Sequence, residues 1–161
     1  MALLHQEKID EAISHLSEAL RRMPEGFAEQ YQPADMHYRL GRALLYKGNS
    51  KQAAVHLSEA VRLDPNHPQA LYRLALSLAD QGDFKRAIEC YSKAVRLQPD
   101  VDTSPTLHYL LATNYAESRQ FHEAVLSAQK ALDLARSAGD KKLVQAISER
   151  LELYRQLDTQ K

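Results

Sequence analysis

Cysteine occurs once in this chain, at position 90, so no disulfide can close within it. A lone thiol fits a reducing compartment, with the cytoplasm as the expectation. An excess of one charge is also missing: 21 Lys and Arg balance 21 Asp and Glu, and both signs are scattered along the chain. Without a concentrated basic field, neither nucleic acid nor an anionic membrane surface is an expected partner. No apolar run approaches the roughly 20 residues of a membrane span, so no membrane insertion is expected. The opening Met-Ala-Leu-Leu-His-Gln-Glu-Lys has no secretory apolar segment. Glycines are few and isolated, which leaves no Gly-rich loop to cradle a phosphate.

Catalytic groupings are missing too. None of the seven histidines has a second His or Cys three or four residues on, the spacing that presents two ligands on one helix face. Cys90 has no adjacent His or cationic cluster to activate it as a nucleophile. The run Asp100 to Ser104 lacks the Gly and the closing Glu of a calcium loop, and reads as a connection ending in a Ser104 cap with Pro105 at the first helical position. The expectation is a chain with no enzymatic activity, no metal and no cofactor.

What the chain does have is internal repetition. Residues 34–67 and 68–101 align without a gap, sharing Tyr-Arg-Leu, a mid-unit Gly, an Ala-Val-Arg-Leu block and a Pro, so the period is 34. Residues 105–138 follow the same pattern after three extra residues, and residues 1–26 match only its later part. Each complete unit divides into two amphipathic helices. Leu71, Leu74, Ala75 and Leu78 make the buried stripe of one, and Phe84, Ala87, Ile88, Tyr91, Ala94 and Val95 that of the next. Gly82 breaks the first helix and Asp83 can cap the second. Gly48-Asn49-Ser50 makes the equivalent break one unit earlier, and Arg119-Gln120 makes it later without a Gly. Small residues recur at fixed phase: Gly41, Ala75 and Ala112 on the first helices, then Ala12, Ala53, Ala87 and Ala124, and Ala19, Ala60, Ala94 and Ala131, on the second. Such slots imply close backbone approach.

The pattern Leu40-Gly41, Leu44, Ala53, Leu57, Ala60, Pro65 resembles a tetratricopeptide repeat, as does Leu74-Ala75, Leu78, Ala87, Tyr91, Ala94, Pro99. The family also has a Trp three residues before the Leu-Gly pair, where this chain has His37, Leu71 and His108. Packed structural roles are expected for both histidines, and boundary positions for His15, His56 and Cys90. The last complete unit departs further, with Ala128 for the usual aromatic and Arg136 for the terminal Pro. The resemblance implies an all-α fold, a right-handed superhelical array of antiparallel helix pairs. It also implies a single repeat domain over 1–157: a partial repeat at 1–26, complete repeats at 34–67, 68–101 and 105–138, a capping helix at 140–156, and a tail at 158–161. Asp140 can cap that last helix, whose stripe is Leu143, Ile147, Leu151 and Tyr154. Residues 1–6 read as the tail of a first helix, so the chain reads as beginning inside a repeat, with Leu3, Leu4, Ile9, Ile13 and Leu16 on an open apolar edge.

In this family the first helices line a concave face that receives a peptide or a partner helix. The resemblance places Asp35, Tyr38, Arg39, Arg42 and Leu45 on that face, followed by Gln69, Tyr72, Arg73, Leu76 and Asp80, and then by Thr106, Tyr109, Thr113 and Glu117. Tyr38, Tyr72 and Tyr109 form a ladder suited to recognition, with helix stacking as the competing role. Arg39, Arg42 and Arg73 carry forked donors for a carboxylate or a carbonyl. The Lys and Asn set with which some chaperone-binding members clamp a C-terminal carboxylate is absent. The irregular stretch Phe27 to Pro33 either closes over the groove or lengthens a turn. Three functions fit: a scaffold or adaptor that binds a partner protein or peptide, a module that self-assembles as a homodimer through its open N-terminal edge or convex surface, or a substrate-positioning region of a larger enzyme.

Overall fold

A computed structural model describes the backbone of residues 2–22, 32–97 and 105–160, and their side chains from residue 8 onward. Every element among them is α-helical, as the repeat pattern requires. Residues 27–31 of the stretch Phe27 to Pro33, the loop at 100–104, Pro24, Pro99 and the side chains of Leu3 and Leu4 lie outside the described residues. The chain divides into two compact units, Met1–Gly82 and Asp83–Lys161.

The first unit holds α1 (Ala2–Arg22), α2 (Pro33–Tyr46), α3 (Ser50–Leu63) and α4 (Pro68–Ala79). Gly48 takes a left-handed φ of 72° where α2 ends, and the Asn49 side chain accepts from the Gln52 amide at 3.2 Å to start α3. Pro68 opens α4 with its missing donor at a position that needs none. The α2–α3 hairpin closes on Leu40, Gly41 and Leu44 against Ala53, Leu57 and Ala60, all buried. Then α4 packs on α3, and Ala70, Leu71, Leu74 and Ala75 of α4 are buried.

The first helix departs from the sequence reading. Residues 2–6 form no separate helix tail; Ala2–Arg22 is one unbroken helix. It lies on α2, tied there by an ion pair between Lys47 and Asp10. Ala53 and Ala60 are fully buried, yet their equivalents Ala12 and Ala19 are exposed. The difference follows from packing, because among the described residues no preceding helix covers that side of α1.

The second unit holds α5 (Phe84–Leu97), α6 (Pro105–Glu117), α7 (Phe121–Ser137) and α8 (Lys141–Asp158). Asp83 starts α5 by accepting from the Arg86 amide at 3.3 Å. At the turn before α7, Arg119 itself adopts a left-handed φ of 59°, the conformation Gly supplies in the other turns. With Arg136 in place of the terminal Pro, α7 continues to 17 residues against 14 for α3 and α5. Asp140 caps α8 by accepting from the Leu143 amide at 3.0 Å. Ile147, Leu151 and Tyr154 of α8 then bury against Ala124, Ala128, Ala131, Leu132 and Ala135 of α7.

Candidate functional site

The residues of the expected binding face divide between the units. In the first unit, Arg42, Leu45 and Tyr46 of α2 face Arg73, Leu76 and the capping Asp80 of α4 across a recess of about 230 Å³. Five of these six were expected from sequence. Tyr46 was not, although it stands one 34-residue period before Asp80, and that arithmetic was the available signal.

Two arginines are held ready by tyrosines. The Arg42 guanidinium sits 5.7 Å from the centroid of Tyr38, and that of Arg73 sits 5.5 Å from Tyr72. A ring face stabilises a cation without neutralising it. Arg39 behaves differently: it is paired with Asp35 at 2.6 Å one turn earlier. Among the described residues, neither Arg42 nor Arg73 has a carboxylate within ion-pair distance. Tyr38 also packs on His67, ring centroids 4.8 Å apart, and His67 Nδ1 accepts from the Ala70 amide to start α4. The tyrosine therefore both backs Arg42 and braces the next helix.

At the far end, Asp80 accepts from the Ser50 hydroxyl at 2.6 Å. The neighbouring Gln81 donates to the carbonyls of Ser50 and Ser77. The turn between α2 and α3 is thereby stitched to the end of α4.

In the second unit the expected residues have other company. Tyr109 is half-buried and packs against the core that contains Tyr154. Thr113 donates to the Tyr109 carbonyl at 3.0 Å and lies beside the Tyr154 phenol. Burial pushes that phenol up, and the Thr113 hydroxyl pulls the other way. Glu117 and Thr106 are exposed.

A histidine pair was not foreseen. The Nδ1 atoms of His37 and His56 are 3.1 Å apart, with ring centroids 5.3 Å apart. The rings stack at an interplanar angle of 29°, and a hydrogen bond between the two nitrogens requires one Nδ1 to carry the proton and the other to present its lone pair. Burial pushes both imidazoles below the ordinary range. For His37, the facing His56 adds to that, Glu59 opposes it, and Arg62 lowers it further. His108 is buried and His15 exposed. Cys90 is half-buried; burial pushes its thiol up, against a pull from Arg86. Among the described residues, no group of three or more His, Cys, Asp or Glu could hold a metal ion, and no helix is long and apolar enough to cross a membrane.

Residues 38–102 match the family model described as tetratricopeptide repeat. No curated protein matches the sequence. Solved structures do match in fold. YrrB, a tetratricopeptide-repeat protein with an unusual peptide-binding site, is 23% identical, covering 91% of this chain and 69% of its own, with a TM-score of 0.71. The type III secretion translocator chaperone SycD of Yersinia enterocolitica is 18% identical, covering 87% of this chain and 91% of its own, with a TM-score of 0.66. The TPR2B domain of yeast Sti1, in complex with pHsp70, is 18% identical, covering 81% of this chain and 99% of its own, with a TM-score of 0.63. The 34-residue period, the filled small-residue slots and the family match make residues 38–102 tetratricopeptide repeats, within a chain that shares the fold of these helical-repeat structures.

Proposed function

We propose that this chain is a non-enzymatic interaction module that binds a peptide segment of a partner protein in the recess between α2 and α4. The observation that carries this reading is the pair of arginines backed by tyrosines, with no carboxylate partner among the described residues, at the edge of a recess floored by Leu45 and Leu76. Apolar floor plus aimed polar groups is the usual make-up of a recognition site. YrrB and the Sti1 domain, which share the fold, are described with a peptide-binding site and in a complex. Balanced, scattered charge supports a protein partner over nucleic acid. Of the ladder, Tyr38 and Tyr72 are assigned to binding in the first unit. Tyr109 is assigned to packing as well, because it borders the α8 core.

A peptide array tests this, probed with the wild-type protein and with a Tyr38→Ala/Tyr72→Ala variant of unchanged circular dichroism. Peptides retained by the wild type and lost by the variant are expected. Retention by both would move binding away from the recess.

The bare face of α1 favours self-assembly as a second reading. Ala12 and Ala19 are exposed there, and Ile9, Ile13 and Leu16 are only half-buried. Light scattering across a concentration series reads it directly: mass rising toward twice the monomer supports a homodimer, and a constant monomer mass rejects it.

A further inference from the structure

The recess is electrically two-ended. Arg42 and Arg73 stand toward the start of the helix segments that line it, and Asp80 stands at the end of α4. The seven steps from Arg73 to Asp80 span about 10 Å of helix. An aspartate at a helix C-terminus is poorly placed, because the helix already presents partial negative charge there. Among the described residues Asp80 gains the Ser50 hydroxyl but no cation. A positive group brought to that end would meet the carboxylate and the helix terminus together. At the other end, each guanidinium is desolvated on one side by a tyrosine ring and keeps donors for a carboxylate. Between them lie Leu45 and Leu76.

We propose that the occupant is an extended peptide segment with an acidic side chain, an apolar side chain and, about three residues from the acid, a basic side chain. The separation follows from the recess: about 10 Å is three steps of an extended chain at about 3.3 Å each. The acid seats between Arg42 and Arg73, the apolar group on the leucines, and the base at Asp80. This rests on the peptide reading above and adds the charge order and spacing to it. Arg39 has no part in it, since Asp35 already neutralises it.

The probe is a capped synthetic peptide with Glu and Lys three positions apart and Leu between them in a Gly-Ser frame, made in both chain directions. Single Glu→Gln and Lys→Gln versions and a version with the two charges one residue apart complete the set. Binding is followed by fluorescence polarisation. The charged peptide in one direction is expected to bind at least fivefold tighter than either Gln version or the close-spaced version. Asp80→Asn keeps an acceptor for Ser50 and should abolish the preference for Lys alone, while Arg42→Gln/Arg73→Gln should abolish the preference for Glu alone. Asp80→Lys should reverse the preference at its own end, favouring a Glu in place of the peptide's Lys; this gain of binding cannot come from misfolding. If the Gln peptides bind as well as the charged one, the charge order is wrong and the peptide reading stands. If no peptide in this set binds and the array also shows none lost with Tyr38 and Tyr72, both fall together.

Discussion

Adding one methyl group at Gly41 sets two effects of similar size against each other. Glycine inside a helix costs about 0.5–1 kcal/mol relative to alanine, so helix propensity alone favours Gly41→Ala. Packing opposes it. A Cβ at Gly41 would lie 2.5 Å from Leu57 Cγ, 2.9 Å from Leu57 Cδ2 and 3.3 Å from the Ala53 carbonyl oxygen. Leu57 is fully buried, so its branch point cannot swing into solvent, and the Ala53 carbonyl belongs to the α3 backbone. Forcing a methyl into a filled core costs about 1–3 kcal/mol. The balance is a net loss of about 1 kcal/mol. Urea unfolding followed by circular dichroism measures it, with the slope checked for constancy so that the midpoint reports stability. The decisive variant is Gly41→Ala made on a Leu57→Ala background. There the two Leu57 contacts are gone and only the 3.3 Å approach to the Ala53 carbonyl remains, so the same methyl should stabilise by up to about 0.5–1 kcal/mol, a reversal of sign that measures the coupling of the two positions. Stabilisation by Gly41→Ala in the otherwise wild-type protein would refute the close approach of α2 and α3.

Three further expectations concern the turns and the histidine pair. Arg119→Gly relieves a left-handed φ that costs a residue with a side chain about 1–2 kcal/mol and returns part of that as chain entropy. A stability gain of about 0.5–1 kcal/mol, read as a raised urea midpoint, is expected, and a lowered midpoint would contradict the strain. Asp140→Ala removes the α8 cap and should cost about 0.5–2 kcal/mol, read as a lower melting temperature that Asp140→Ser largely restores. The folded protein holds His37 and His56 below the ordinary imidazole value, so the unfolded chain binds more protons around and below about pH 6.5. Stability from this pair is therefore full above that pH and lost as pH falls through the lowered values. His56→Gln should flatten the dependence in melts from pH 7.5 to 5, and an unchanged slope would reject the pair as its source.

The repeat was legible because its cause is local. A 34-residue period, glycine at Gly48 and Gly82, and alanine at fixed phase each follow from helix geometry that sequence spacing records. The family resemblance put Arg42, Arg73, Leu76 and Asp80 on one face, and these four line one recess. Less legible was everything decided by a neighbour far along the chain. The resemblance put Arg39, Arg42 and Arg73 on one face, but it could not say that Asp35 takes up the first and tyrosine rings hold the others. His37 filled a slot known for packing, yet its partner His56 sits 19 residues away on the facing helix. Tyr109 matched Tyr38 and Tyr72 by period, while the approach of α8 gives it core neighbours. Ala12 and Ala19 matched buried alanines and are bare, since a slot is buried only when a second helix fills it.

The buried alanines carry a thermodynamic consequence of their own. Ala53, Ala60, Ala87, Ala94, Ala124 and Ala131 are completely enclosed, and none has a side-chain torsion to freeze. Bringing helix backbones together at these points takes nothing from rotamer freedom, whereas a Leu or Ile there would surrender about 0.5–1 kcal/mol apiece. Tolerance to mutation at these sites is therefore lopsided. Shrinking to glycine sacrifices a methyl contact and some helix propensity, while any enlargement must push two backbones apart. A deep mutational scan would show these six positions as the places where size, and not polarity, ranks the substitutions.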